Sequence, residues 1–288
     1  MPKPVGSGQR YLPGLDGLRA LAVFAVIAYH DQFRWAPGGL LGVAVFFTLS
    51  GYLITDLLLG QWSAHRRLNL GDFWLRRARR LLPALFVMLA VVAAWVTALN
   101  RAQLAGLRGA VAAAASYWSN WYLIATHGSY FARFAPPAPL DHLWSLAVEE
   151  QFYLAWPWLL LLGLCCLRGR VSAVRWLALP TLALAGGSAA LMLRFYQPGL
   201  DPTRVYEGTD TRAFGLLAGA ALAMAWPSRR AGRGAWPVRL LLDGAGVEGF
   251  AVGASGALTG MAQPASAATT TAAAARRSMG FFKREFLS

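Results

Sequence analysis

The sequence predicts an all-α protein, a polytopic bundle of transmembrane helices. Hydrophobic residues make up 57% of the 288 positions and charged residues only 14%, whereas soluble domains carry about 25% charged residues. Several apolar runs approach the roughly 20 residues that a helix needs to cross a bilayer. These runs are residues 15–33, 39–59, 81–99, 109–126, 144–166, 177–193 and 213–226.

The placement of arginines predicts how the chain is oriented in the membrane. Residues 65–80, HRRLNLGDFWLRRARR, contain six arginines and one acid, so they and the N-terminus should face the cytoplasm. Further basic clusters at 168–175 and 229–239 fall on the same side only if 109–126 enters and leaves the membrane on one face. Because the second half of that run is polar and aromatic, we predict a re-entrant or peripheral helix there. About six true spans then remain.

Composition divides the chain into two parts. Residues 1–226 hold the apolar runs, and residues 227–288 are basic and then rich in Ala, Gly and Thr, which predicts a disordered or non-native tail. The net charge of +14 comes mainly from arginines between apolar runs, a pattern of cytoplasmic loops rather than of nucleic-acid binding. Cys165 and Cys166 are adjacent in an apolar run, which suits neither a disulfide framework nor a metal site.

Two ionisable residues stand in the first apolar run. Arg19 and His30 are eleven residues apart, which places both on one face of an α-helix, separated by about 16 Å along its axis. Ionisable residues inside a bundle are candidates for function, and histidine is the usual general base near neutral pH. Alternatively, Arg19 snorkels to one membrane boundary and His30 reaches the other.

A second candidate is the group of arginines just before the third run, Arg76, Arg77, Arg79 and Arg80. Arginines three positions apart share a helix face, and guanidinium groups match phosphate oxygens. This pattern predicts an anion site at the cytoplasmic boundary. Alternatively, the charges only orient the chain in the membrane.

A third candidate is the set His142, Ser145 and Glu149. Their spacing places them on one helix face at the outer end of the fourth span, with Glu150 pointing elsewhere. A carboxylate beside a histidine holds its tautomer and stabilises its protonated form. Alternatively, the acids only complement the helix dipole.

Small residues in the second run predict close helix packing. Gly42, Ser50 and Gly51 lie within LGVAVFFTLSGYLIT, residues 41–55, and small residues let helices approach closely. We interpret them as packing residues, with a site role for Ser50 as the alternative.

Six stretches occur in the order seen in the acyltransferase-3 family of bacterial membrane O-acyltransferases, which the chain resembles over residues 10 to about 226. They are YLPGLDGLRALAVFAVIAYH, GVAVFFTLSGYLIT, FWLRRARRLLPAL, SYWSNWYL, LDHLWSLAVEEQFYL and GTDTRAFGLLAGAALA. The resemblance implies transfer of an acyl group, often acetyl, from cytoplasmic acyl-CoA, in the bacterial cytoplasmic membrane. The implied acceptor is a hydroxyl of a cell-surface glycan, peptidoglycan precursor, lipid-linked sugar or macrolide. We expect no metal and no permanently bound cofactor.

The resemblance also implies roles for individual residues. Arg19 and His30 match the family's arginine–histidine pair, with His30 as the catalytic base. Glu149 matches the acid of the family's Ser-Leu-x-x-Glu-x-x-Phe-Tyr stretch, which makes it a second catalytic candidate. Arg212 lies in the later Thr-Arg segment.

The implied donor site is made of arginines. Arg77 and Arg80 match the family's Arg-x-x-Arg pair, and Arg76 and Arg79 form an overlapping copy. Together with Arg19, these residues are expected to bind the phosphates of acyl-CoA, because guanidinium groups pair with phosphate oxygens.

The chain departs from the family's pattern beyond about residue 226. Members usually have ten spans, and some add an outer esterase-like domain, so we expect this chain to lack the later spans. Two alternatives stay open. One is a transporter or flippase whose buried Arg, His and Glu relay protons or bind substrate, and the other is an inactive truncated member.

Overall fold

The computed structural model describes residues 13–30, 33, 41–99, 104–126, 139–167, 171–198 and 200–228. This part of the chain is all-helical and contains no strand, which confirms the predicted fold class. The basic cluster at 229–239 and nearly all of the predicted tail lie outside the described residues.

The α-helices of the described ranges are α1 (Pro13–His30), α2 (Leu41–His65), α3 (Leu70–Leu99), α4 (Leu104–Ala115), α5 (Ser119–Ala125), α6 (Trp144–Cys166), α7 (Ala178–Phe195), α8 (Thr203–Glu207) and α9 (Thr209–Ala225). Segments long and apolar enough to cross a membrane are Leu41–His65, Leu70–Leu99 and Val174–Phe195, and Gly17–His30 is a shorter apolar helix. These three segments support the second, third and fifth predicted spans.

The described residues fall into two compact units, residues 13–46 and residues 47–228. In the smaller unit, α1 packs against the first turn of α2. A Cβ added to Gly42 would lie 2.4 Å from the carbonyl oxygen of Ala22, so only glycine permits this close approach. The packing role predicted for Gly42 is confirmed.

In the larger unit, α2 and α6 run in the same direction. The ring of Phe47 lies 6.2 Å from the ring of Trp144, and further along both helices Trp156 Nε1 donates a 2.8 Å hydrogen bond to Thr55 Oγ1. Contacts that advance together along two helices show that the helices are parallel.

Helix α3 runs antiparallel to α6. Trp74 Nε1 donates to the carbonyl of Tyr153 at 3.0 Å, whereas Arg77, later in α3, bonds Glu150, earlier in α6. The chain therefore leaves α3 and enters α6 at the same end of the bundle. Helices α4 and α5, within the segment predicted to be re-entrant or peripheral, lie between these two helix ends in the chain, and their placement in a membrane stays a prediction.

The break between α4 and α5 has a local cause in the backbone. Tyr117, between the two helices, has φ of 53°, a left-handed conformation that ends an α-helix. Helix α4 rises about 18 Å and α5 about 10 Å, and neither length crosses the roughly 30 Å hydrocarbon core of a bilayer.

Two glycines set the distance between α2 and α9. A Cβ on Gly51 would lie 1.9 Å from the carbonyl oxygen of Leu216, and a Cβ on Gly219 would lie 1.9 Å from that of Thr48. The backbones therefore touch, as predicted for Gly51.

The C-terminal parts of α2 and α9 also lie together. Ser228 Oγ, just after α9, donates a 2.6 Å hydrogen bond to Asp56 Oδ2, and Tyr52 donates a 3.1 Å hydrogen bond to the carbonyl of Trp226. The chain therefore leaves α9 at the end of the bundle toward which α2 runs.

Candidate active site

An ion pair between α3 and α6 lies at the centre of the candidate site. Arg77 Nε donates to both carboxylate oxygens of Glu150 at 2.9 and 3.0 Å, and Nη2 donates to Oε1 at 2.6 Å. The same Nη2 lies 3.8 Å from Oε1 of Glu149. Charge-assisted bonds of this kind are roughly twice as strong as neutral ones, so the pair holds α3 and α6 in a defined register.

Tyr153 completes what we call the charged cluster, formed by Arg77, Glu149, Glu150 and Tyr153. The guanidinium carbon of Arg77 lies 3.5 Å from the centre of the Tyr153 ring, a cation–π contact. The Tyr153 hydroxyl donates to Glu149 Oε1 at 2.5 Å. Each of the two acids thus contacts the arginine and one also accepts from the phenol, so one cation and one hydroxyl stabilise two carboxylates within the cluster.

The charged cluster corrects one sequence prediction. The arginines were placed at the cytoplasmic boundary and Glu149 at the outer end of its span, but Arg77 and Glu149 are in contact. From Glu150 to Cys166, α6 continues for about 24 Å, and from Arg77 to Leu99, α3 continues for about 33 Å in the opposite direction. The pair therefore lies well inside the bundle.

The prediction was wrong because the arginines belong to α3 itself. The apolar run was expected to begin at 81, whereas α3 begins at Leu70. Buried carboxylates on α6 compensate the charge of Arg77, so the helix extends through a segment that hydropathy assigns to a loop.

The remaining arginines of α3 face outward. Arg76, Arg79 and Arg80 are exposed, and none has an ion-pair partner among the described residues. The predicted Arg77–Arg80 pair is thus divided, with one guanidinium directed into the cluster and the other available to a ligand.

Arg19 and His30 lie in the smaller unit, on α1. Arg19 is half-buried, with its guanidinium carbon 5.3 Å from the centre of the Phe46 ring. His30 is the exposed last residue of α1, and its Nδ1 lies 2.8 Å from the carbonyl oxygen of Val26. Because a carbonyl only accepts, the proton of the neutral ring lies on Nδ1 and the basic nitrogen is Nε2.

The predicted set of His142, Ser145 and Glu149 is arranged differently in the structure. His142 is exposed in the 3-10 turn Asp141–Leu143 that precedes α6. Ser145 Oγ donates to the backbone carbonyl of His142 at 3.4 Å. The Glu149 carboxylate contacts Tyr153 and Arg77, so its function is tied to the charged cluster.

Sequence reasoning missed a polar network that joins α5, α6 and α9. Gln151 Nε2 donates to Asn120 Oδ1 at 3.0 Å and to the carbonyl of Tyr117 at 2.8 Å. Thr209 Oγ1 donates to Gln151 Oε1 at 2.6 Å, and Asn120 Nδ2 donates to the carbonyl of Glu207 at 3.0 Å. The sequence indicated this network only through the polar residues in the second half of the fourth apolar run. In the structure Asn120 of that segment is buried against other helices.

A buried acid was also missed. Glu207, on the short helix α8 between the segments of α7 and α9, is 0% exposed, and neither carboxyl oxygen has a hydrogen-bond partner within the described ranges. Burial raises the pKa of Glu207 to about 9, and the nearby carboxylates of Asp141 and Asp201 add to the shift. Glu207 is therefore protonated at neutral pH.

Comparison with known proteins decides the family. A family model described as an acyltransferase domain matches residues 12–275, most of the chain. The chain belongs to the acyltransferase-3 family.

Curated relatives of this acyltransferase-3 chain carry related names. It is 48% identical over 231 residues to the putative peptidoglycan O-acetyltransferase YrhL of Bacillus subtilis, covering 80% of this chain and 36% of the relative. It is 50% identical over 228 residues to the peptidoglycan O-acetyltransferase OatA of Listeria monocytogenes, covering 77% and 35%. A putative O-acetyltransferase of Staphylococcus aureus is 44% identical over 220 residues, covering 76% and 35%.

The chain thus spans about a third of the length of these relatives. No solved structure matches it significantly. The larger unit of the acyltransferase-3 chain presents exposed arginines on α3 and a charged cluster between α3 and α6, and the smaller unit presents the His30 imidazole with Nδ1 on a backbone carbonyl.

Proposed function

We propose that this chain is a membrane O-acyltransferase that transfers an acetyl group from acyl-CoA to a hydroxyl of a cell-surface glycan, with peptidoglycan as the favoured acceptor. Membership of the family supports the reaction class, and the names of two relatives support the acceptor. The observation that carries the proposal is the presence on α3 of three exposed arginines without ion-pair partners in the described part of the chain. Such a set suits an anionic donor.

The helix directions support a cytoplasmic donor. Helices α2, α6 and α9 end on one side of the larger unit, so the basic residues 65–67 and the basic clusters at 168–175 and 229–239 follow helices that point the same way. Clusters of this kind remain in the cytoplasm. We therefore place that side, and the N-terminus, in the cytoplasm of a bacterial cell, with the chain in the cytoplasmic membrane.

The arginines of α3 have two roles at the proposed donor site, phosphate binding and positioning. Arg76, Arg79 and Arg80 bind the phosphates of acyl-CoA through charge-assisted hydrogen bonds. Arg77 instead acts as a positioning residue, because Glu150 already occupies Nε and one face of its guanidinium fork. Glu149 shares this positioning role by fixing Tyr153 against Arg77. For Arg19, on α1 of the smaller unit, a role in donor binding rests on the resemblance to the family alone.

His30 acts as the general base on the acceptor. Its Nδ1–H is held by the Val26 carbonyl, so Nε2 removes the proton from the acceptor hydroxyl as that oxygen attacks the thioester carbonyl. The new ester C–O bond forms, the C–S bond breaks, and the thiolate of CoA leaves and is protonated.

The test uses membranes containing the full chain and radiolabelled acetyl-CoA. Label should appear in the glycan fraction, and His30→Gln should abolish transfer while leaving CoA binding intact, because glutamine accepts no proton as a base. His65→Gln is the matched control, since His65 is the exposed last residue of α2. Failure of the wild-type chain to label glycan would contradict the proposal, and substantial transfer by His30→Gln would remove histidine from the mechanism.

The flippase alternative predicts a different pattern. Movement of a lipid-linked substrate would depend on the buried charges, and acetyl-CoA would leave no label in any acceptor. Measurement of acetyl incorporation therefore separates the two functions.

A further inference from the structure

Arg212, at the start of α9, is a buried cation that the described residues leave without an acidic partner. It is 6% exposed, and its Nε donates a 2.9 Å hydrogen bond to the carbonyl of Tyr206. No carboxylate of the described residues lies within ion-pair distance of it. A buried charge is costly unless it is paired, so this position calls for a negatively charged or strongly polar ligand.

Two aromatic rings hold the Arg212 guanidinium in place. Its carbon lies 4.2 Å from the centre of the Tyr206 ring and 5.9 Å from that of Trp144, and the two ring centres are 4.8 Å apart. Cation–π contacts of this kind orient a guanidinium and offset part of its burial. Because the carbonyl of Tyr206 takes the Nε–H, the remaining donors are those on Nη1 and Nη2.

Arg204, eight residues earlier in the chain, is a comparison arginine whose charge is neutralised by a carboxylate. It also stacks on two rings, with its carbon 5.3 Å from the centre of Trp121 and 4.8 Å from that of Phe195. Its two terminal nitrogens, however, bond both oxygens of Asp210 at 2.9 and 2.7 Å. Arg212 has similar aromatic contacts but, unlike Arg204, no carboxylate partner among the described residues. Its terminal nitrogens can therefore bind an anionic or strongly polar ligand.

Arg212 lies beyond the charged cluster along α6. Trp144, its aromatic neighbour, is the first residue of α6, and Glu149 follows about 8 Å further along the helix. The guanidinium is therefore on the side of Arg77 that faces away from the basic loops. The acyl end of a donor whose phosphates bind the α3 arginines would therefore have to pass the charged cluster to reach Arg212.

We propose that Arg212 binds the carbonyl oxygen of the acyl group and stabilises the negative charge that this oxygen acquires during transfer. The proposal rests on the proposed acyltransferase function. As the acceptor oxygen bonds to the carbonyl carbon, the π electrons move onto the carbonyl oxygen beside Arg212. They return as the C–S bond breaks, and the proton lost by the acceptor hydroxyl is balanced by protonation of the departing thiolate.

The enclosure of the site favours this ligand over a larger anion. An almost fully buried guanidinium with two aromatic rings on one side suits a small planar group such as acetyl, whereas CoA phosphates suit the exposed arginines of α3. Fixed donors aimed at a developing oxyanion are among the largest contributions to catalysis.

The first measurement compares kcat with donor affinity for Arg212→Lys and Arg212→Met in the full chain. Loss of one oxyanion donor lowers kcat by roughly 10²- to 10³-fold, and the Kd for CoA should change by less than about twofold. Arg204→Lys is the matched control and should keep wild-type kcat. An Arg212→Lys variant with kcat close to wild type would overturn the proposal.

The second measurement needs no turnover. Acetonyl-CoA labelled with ¹³C at its carbonyl resembles the donor but has a CH₂ between carbonyl and sulfur, so it cannot transfer its acyl group. Its infrared C=O band should move to lower frequency on binding to wild type and to Arg204→Lys, and should return to the free position in Arg212→Met. Binding without a band shift would overturn the role of Arg212 alone, whereas failure of acetonyl-CoA to bind would contradict the proposed function as well.

Discussion

Arg77 and Glu150 are 73 positions apart in the chain, yet Nη2 and Oε1 lie 2.6 Å from each other in the middle of the bundle. The contact joins the arginine-rich part of α3 to the acidic part of α6. Two motifs that look independent in the sequence therefore form one charged cluster, which turns one arginine of α3 inward while its neighbours stay exposed.

Replacing Arg77 should destabilise the fold more than it weakens donor binding. Arg77→Gln leaves Glu149 and Glu150 without their cation, and loss of such charged hydrogen bonds costs about 2 kcal/mol of unfolding free energy. Glu150→Gln in the same chain removes one of the two uncompensated carboxylates and should restore part of the loss. Denaturant unfolding in detergent measures all three variants.

Arg80→Gln serves as the control for the comparison of the Arg77 and Glu150 variants. Arg80 is exposed on the same helix, so its replacement should change the unfolding free energy by less than about 0.5 kcal/mol. A double variant no more stable than Arg77→Gln would show that the two side chains do not compensate each other.

The exposed arginines of α3 should determine affinity for the phosphates of CoA. Removing one charged hydrogen bond costs about 1.5–3 kcal/mol, so Arg76→Gln, Arg79→Gln and Arg80→Gln should each raise the Kd for CoA by about 10- to 100-fold. Pantetheine, which lacks the phosphates, should bind every variant equally. Unchanged CoA affinity in all three would leave these residues with a role in orientation alone.

The crossing of α2 and α9 should not tolerate a methyl group. Alanine at Gly51 or Gly219 would place Cβ 1.9 Å from a backbone oxygen, and such overpacking costs about 1–3 kcal/mol. Gly186→Ala on α7 is the control, since its Cβ would meet nothing within 4 Å. Thermal unfolding should separate the two classes, and equal melting temperatures would contradict a backbone contact at the crossing.

Stability should fall as pH rises toward 9 because of Glu207. The pKa of its carboxyl is raised to about 9 from an ordinary 4.5, so between these values the folded chain holds a proton that the unfolded chain has released. The resulting loss is at most about 1.4 kcal/mol per pH unit and ends above the folded pKa.

Glu207→Gln tests this dependence, because glutamine has no proton to release. The stability of the variant relative to wild type should increase from about pH 5 to pH 9 and then level off. Asp141→Asn removes one of the carboxylates that raise the pKa, so its stability should level off at lower pH. A constant difference between Glu207→Gln and wild type across this range would show that the acid is ionised in the fold.

Labelling of single cysteines should establish the orientation. With both native cysteines replaced by serine, Arg67→Cys, Arg170→Cys and Arg230→Cys should react only when the cytoplasmic face is open. His142→Cys should react from outside, because exposed His142 precedes α6, at the end of that helix opposite to Arg170. Labelling of Arg170→Cys from outside would contradict the arrangement.

The sequence by itself determined the fold class and the close-packing glycines Gly42 and Gly51. Apolar length, arginine distribution and residue size can be read from short segments of sequence. The bilayer selects helices by the apolar length of each segment and by the basic residues that flank it. The helical class therefore followed from composition, and the direction of α6 followed from the positions of the basic clusters.

Only the tertiary structure decided which charges meet. Hydropathy placed the α3 arginines and Glu149 at opposite membrane boundaries, whereas the stagger of α3 against α6 brings Arg77 into contact with both acids. The same packing buries Arg212 beside the rings of Trp144 and Tyr206. The partner of a buried charge depends on the rotation and stagger of helices distant in the chain, and side-chain packing across the bundle sets both of them.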